Sequence, residues 1–111
     1  MPDAMTDRRV APRYPLVLLA EVTDQLSSTK FTARTADLSR TGCYIDMLSP
    51  LPRGTQVHVR LQNQKEIFES AATVMYVSPR LGIGVAFAED LPAHHQKVLN
   101  RWLAAAAKTG T

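Results

Sequence analysis

Along the chain, apolar residues recur mainly at every second position, the period of a strand with one face buried. The alternation is cleanest over Thr55–Gln62. Val57, Val59 and Leu61 share one side there, and Gln56, His58, Arg60 and Gln62 share the other. Phe31–Ala36 alternates in the same way, with Phe31, Ala33 and Thr35 opposite Thr32, Arg34 and Ala36. Together with Tyr14–Thr23, Cys43–Met47, Ile67–Val77 and Gly82–Ala88, these make six expected strands. Polar or glycine- and proline-bearing stretches divide them: Asp24–Lys30, Asp37–Gly42, Ser49–Gly54, Asn63–Lys65 and Ser78–Leu81.

After Ala88 the period changes. Leu91, Val98, Leu99, Trp102, Leu103 and Ala106 fall near helical spacing and form one apolar stripe. Asp90 offers an N-cap and Pro92 a first-turn proline, so a helix is expected over about 91–107. Six short strands and a terminal helix describe a mainly β fold. The expected form is a six-stranded antiparallel β-barrel with a C-terminal amphipathic α-helix, because closure removes exposed sheet edges. Residues 1–13 are polar, and Pro12 and Pro15 keep them out of a regular helix. They are expected to be a flexible arginine arm before one domain over 14–107, with a frayed tail at 108–111.

Composition narrows the function. A chain of 111 residues is one domain by size, and 45% apolar with 21% charged residues is ordinary for a folded protein. The net charge of +3 is too small for a protein that coats nucleic acid through a dense basic stripe. Arginine outnumbers lysine nine to four, however, and arginine is suited to planar, bidentate recognition of phosphate and guanine. The lone Cys43 excludes an internal disulfide and a cysteine-built zinc site, and fits a reducing compartment. His58, His94 and His95 make no metal triad by spacing, and the last two are read as facing water at the helix start. The run Leu16–Ala20 is too short for a signal core or a membrane span. These features lead us to expect a cytoplasmic domain without membrane insertion, metal or cofactor.

Two segments carry candidate chemistry. Arg8, Arg9 and Arg13 crowd the stretch before the first strand, where a solvated basic tail is the plain alternative. Asp37, Ser39 and Gly42 lie in the turn Asp37–Gly42, where Asp and Ser cap turns and Gly42 allows a positive φ. An antiparallel hairpin brings the arm back beside that turn. Guanidiniums would then face a carboxylate, a hydroxyl and backbone amides, a set matched to a compact, doubly phosphorylated, guanine-bearing ligand. Hydrolytic catalysis wants a nucleophile with a base, paired carboxylates or a metal cluster, and no such set is evident, so no catalytic residue is assigned.

Arg8-Arg9-Val10-Ala11-Pro12-Arg13 resembles the RxxxR signature of PilZ domains, and Asp37–Gly42 resembles their (D/N)xSxxG signature. Gly82–Phe87 is similar to that family's glycine-containing closing strand. The resemblance runs from about Arg8 to Leu103. It implies a six-stranded barrel that receives the bacterial second messenger cyclic di-GMP. Arg9 and Arg13 would form the clamp, and Asp37, Ser39 and Gly42 the guanine-reading turn. Arg8 would favour a self-stacked ligand pair. Tyr76 is either an aromatic beside the ligand or core, Arg40 either added charge or solvated surface, and Gly84 either a contact or a packing residue. The implied output is regulation of a downstream protein in trans, in motility or biofilm control. Two rivals remain: a PilZ-like adaptor of pilus assembly that binds no nucleotide, and a small barrel that binds RNA or single-stranded DNA. The arginine signature argues against the first. The scarcity of aromatics argues against the second, so no DNA or RNA partner is expected.

Overall fold

The computed structural model describes residues 11–109. Strands β1 (Tyr14–Pro15), β2 (Leu19–Asp24), β3 (Lys30–Leu38), β4 (Gly42–Asp46), β5 (Gln56–Asn63), β6 (Glu66–Ser78) and β7 (Gly82–Phe87) precede helix α1 (Ala93–Thr109). Pairing runs β3–β2–β5–β6–β7–β4 and returns from β4 to β3, so six strands close a barrel, with every pair antiparallel. The short β1 adds to β3 through Tyr14 opposite Leu38 and Pro15 opposite Asp37. The expected six-stranded antiparallel barrel with a C-terminal helix is therefore what the chain forms, plus one extra strand.

The alternation read from the sequence is the burial pattern of the barrel. Val57, Val59 and Leu61 are fully buried, and Val22, Leu38, Ile45 and Phe68 meet them inside. Burying a side chain of that size contributes roughly 1.5–3 kcal/mol, which is why a two-residue period suffices to place the core.

Three boundaries differ from expectation. The single strand expected over Tyr14–Thr23 is broken at Leu16–Leu18. Pro15 has no N–H to continue a ladder. The buried Thr35 hydroxyl takes over there, accepting from Leu18 N at 2.9 Å and donating to Leu16 O at 2.7 Å. β3 runs on to Leu38, so Asp37 belongs to a strand and the turn is only Ser39–Thr41. The helix starts at Ala93, with Gln96 N bonding Pro92 O at 3.0 Å. Pro92 is thus the N-cap in place of Asp90, because a proline disfavours helical geometry at the residue before it.

The apolar stripe of α1 closes the barrel against β6 and β1. Val98, Leu99, Trp102 and Ala106 are buried, as the stripe predicted. Trp102 Nε1 donates to Glu66 Oε1 at 3.1 Å, and Arg101 pairs with the same carboxylate. His95 does not simply face water. Its Nδ1 accepts from Glu69 N at 3.2 Å, and its ring meets Phe68 edge-on at 5.9 Å. That contact was invisible in sequence because it joins residues 26 positions apart.

The Arg101 hydrogen bond, helped by Trp102, holds the Glu66 carboxyl below its ordinary value of 4.5. A carboxylate with a depressed pKa stabilises the fold above its unfolded-state value, and that contribution is lost as pH falls through the folded-state value. Glu66→Gln should therefore lower the melting temperature at pH 7. The gap to the parent should narrow as the pH drops below 4.5, as read by circular dichroism.

Candidate functional site

Two β-bulges build an outward-facing row across the barrel wall. In β3, Thr35 pairs with Ile45 and Asp37 with its neighbour Tyr44, which leaves Ala36 as an extra residue. In β6, Val74 pairs with Val85 and Tyr76 with Gly84, which leaves Met75 extra. A bulge advances the strand by one residue and re-aims the side chains beyond it. Together the two shifts put Tyr76, Gly84, Tyr44, Asp37 and Pro15 opposite one another on β6, β7, β4, β3 and β1.

β7 supplies the floor of this row. A Cβ at Gly84 would lie 2.2 Å from Tyr76 ring atoms, so the ring rests directly on the glycine backbone. A Cβ at Gly82 would come 2.9 Å from the Tyr44 ring. The two tyrosines are nearly parallel, with centroids 6.1 Å apart and planes 26° apart. Tyr76 is 47% exposed, which separates it from the core alternative; it offers aromatic surface to solvent.

At the other end of the row stands Arg13. Arg13, two residues before Pro15, donates through Nη2 to Asp37 Oδ1 at 3.0 Å. The same oxygen accepts Tyr44 N, also at 3.0 Å. Partial burial works against the Arg13 charge, but the hydrogen bond and attraction of Asp37 outweigh it and hold the guanidinium above its ordinary pKa. Tyr76 and Cys43 add smaller electrostatic contributions in the same direction. Below it, burial pushes the Cys43 thiol far up, and Asp37 pushes it further. That thiol is an inert core group.

Ser39 and Gly42 shape the turn beside the row. Ser39 is fully buried. Its hydroxyl donates to Gly42 O at 3.1 Å and accepts Thr41 N and Gly42 N, both at 3.2 Å. Gly42 is not needed for a positive φ, since Gly54 is the glycine with one among the described residues. It is needed for close approach, because a Cβ there would sit 2.0 Å from Val85 O. Thr41 O in turn accepts Phe87 N at 2.8 Å, fastening the turn to the end of β7.

The structure thus brings Arg13, Asp37, Tyr76 and Gly84 together, with Ser39 and Gly42 holding the adjoining turn. Arg40 stays apart. It is exposed at the turn tip and borders a groove of about 470 Å³ shared with Glu89 and with Gln96 and Asn100 of α1. Arg8 and Arg9 lie outside the described residues. Tyr44 was missed in the sequence, although the alternation of Cys43, Ile45 and Met47 assigns it the opposite, outward side. No group of three or more metal-ligating side chains is present among the described residues, and no helix there is long and apolar enough to cross a membrane.

Comparison with known proteins places this geometry. No curated protein matches the sequence. Among solved structures, the chain resembles the PilZ domain of CeSA from a cellulose synthesizing bacterium. The TM-score is 0.67 with 22% identity, over 86% of this chain and 97% of that one. It also resembles the PilZ domain of YcgR from Escherichia coli, solved with c-di-GMP: TM-score 0.74, 15% identity, over 94% and 95%. A third likeness is to PlzA of Borreliella burgdorferi in complex with c-di-GMP: TM-score 0.63, 16% identity, over 85% of this chain and 40% of that one. At these identities the likeness is one of fold. The sequence match is independent of it, for the PilZ domain model fits residues 7–105. That span takes in the arginines from Arg8 to Arg13, both bulged strands and the closing helix as far as Ala105, and the chain belongs to the PilZ domain family.

Proposed function

We propose that this domain is a receptor for cyclic di-GMP, acting in the cytoplasm as a binding protein and not as an enzyme. The observation that carries the reading is the convergence of the Arg13 guanidinium, the Asp37 carboxylate and the exposed Tyr76 ring on one face of a PilZ barrel. Two structural neighbours are described with c-di-GMP bound. In this reading Arg13 offers a fork of donors to a phosphate or to the O6/N7 edge of guanine, and Asp37 accepts from guanine N–H groups. Tyr76 gives a base a surface to stack on, and Gly84 keeps that surface low enough to reach. Ser39 and Gly42 act by holding the turn. Arg8 and Arg9 extend the clamp, with Arg40 adding charge at the margin.

In this reading the ligand competes with the Arg13–Asp37 ion pair. Both partners present their charges to each other, so a phosphate that takes Arg13 frees Asp37 to accept from a base. Residues 1–13 would then reorder around the ligand, losing conformational entropy that charge-assisted bonds offset. The domain over 14–107 stays rigid, and the altered arm is the signal passed to a downstream protein in trans.

Isothermal titration calorimetry tests this directly. The purified protein should bind cyclic di-GMP saturably in the micromolar range; no saturable heat at millimolar ligand would leave the nucleotide-free adaptor as the better reading. Arg13→Ala should weaken binding at least tenfold, about 1.4 kcal/mol, because it removes a charge-assisted pair. Tyr76→Ala should weaken it by about 1–3 kcal/mol through loss of a stacked base. Lys97→Ala, on the exposed face of α1, should leave the affinity unchanged.

A further inference from the structure

The barrel closes along β3 and β4, but the seam is incomplete. β3 has nine residues and β4 only five, and β4 pairs with β3 only from Arg34 to Leu38. Beyond Asp46 the chain follows β7 instead, with Met47 N bonding Leu81 O at 2.9 Å. Lys30–Ala33 therefore pairs with β2 on one side and with no strand among the described residues on the other. Backbone groups of an antiparallel strand alternate between its two neighbours. Thr35 N bonds Leu18 O on the β2 side, so the N–H and C=O of Thr32 point to the open side.

What they face is a groove of about 710 Å³ between this edge and Met47–Ser49. Half-buried Phe31 and Ala33 lie along the β3 wall and buried Met47 on the facing one. The rim is apolar and exposed: Leu19 at 53%, Leu81 at 66% and Leu48 at 85%. Large exposed apolar groups clustered beside an unpaired strand edge are what soluble domains otherwise avoid. Charge is added by Arg34 and Arg80, which have no ion-pair partner among the described residues, against the single carboxylate of Asp46.

We infer that this groove receives an extended segment of a partner protein that pairs with the Lys30–Ala33 edge as an added strand. The four-residue edge suits an added strand of about four to six residues at ~3.3 Å each. Alternate side chains of the segment point into the apolar floor and must be hydrophobic. The intervening ones meet Arg34 and Arg80 and are acidic. Backbone pairing supplies affinity, while the apolar floor and the two arginines supply selectivity. Arg34 pairs with Asp46 in the row neighbouring that of Asp37 and Tyr44, so partner and arm would occupy adjoining parts of one face.

The test is selection of random eight-residue peptides by display on the intact protein without nucleotide, which makes its outcome independent of the cyclic di-GMP reading. Enriched peptides should alternate apolar residues with Asp or Glu and bind saturably. On binding they should slow hydrogen exchange at the Thr32 amide and shift the Leu48 and Leu81 signals. Methylating the peptide nitrogen that faces Thr32 should abolish binding, and Arg34→Glu with Arg80→Glu should weaken it at least tenfold. Lys97→Ala, on the exposed face of α1 and outside the groove lining, should have no effect. The inference is overturned if no peptide is enriched, or if enriched peptides act away from Thr32 or tolerate nitrogen methylation. Self-association that covers Leu48 and Leu81 would overturn it too, by making a second copy the occupant.

Discussion

One carboxylate oxygen ties together the strands of the candidate face. Asp37 Oδ1 accepts both the Arg13 guanidinium and the Tyr44 amide, so it links the arm, β3 and β4 at the strand pair that closes the barrel. It can do so only because Ala36 bulges out of β3. Without the extra residue the inward set Phe31, Ala33, Thr35 would continue to Asp37, and a carboxylate would enter a core lined by Leu38 and Ile45. Burying an unpaired charge there costs far more than the strand contributes. The bulge sends Leu38 inward and Asp37 outward, and the site follows from that one displacement.

β6 repeats the device. Its inward set of Phe68, Ser70, Ala72 and Val74 jumps three residues to Val77, and Met75 and Tyr76 both emerge on the outer face. The ring of Tyr76 then needs a neighbour with no side chain beneath it, which Gly84 provides. Bulge, glycine and aromatic are therefore one arrangement: the bulge turns Tyr76 outward and Gly84 leaves room for its ring. The seam that carries the first bulge also leaves Lys30–Ala33 of β3 without a partner strand on one side among the described residues, so the groove opens beside the candidate site.

Most of this fold was legible in the chain because burial follows a local period. β5 needed only the alternation of Val57, Val59 and Leu61, and α1 only the spacing of Val98, Leu99, Trp102 and Ala106. What the period does not encode is which residue of one strand faces which residue of another. Asp37 therefore read as a turn residue, although it lies within β3, and Tyr44 passed unnoticed, although its parity set it outward. The break at Leu16–Leu18 depends on a hydroxyl of Thr35, 17 positions away from Leu18 in sequence. The meeting of Arg13 with Asp37 was legible, because a hairpin return is a statement about chain direction and not about register.

The central claim is that ligand recognition belongs to the row from Arg13 to Tyr76. Amide shifts of isotope-labelled protein during titration with cyclic di-GMP test it most directly. The account predicts saturable shifts largest at Arg13, Asp37, Tyr44, Gly84 and Tyr76, with the Asp24–Thr29 hairpin and the exposed face of α1 unmoved. Shifts centred on the hairpin or on α1, with that row unchanged, would contradict it.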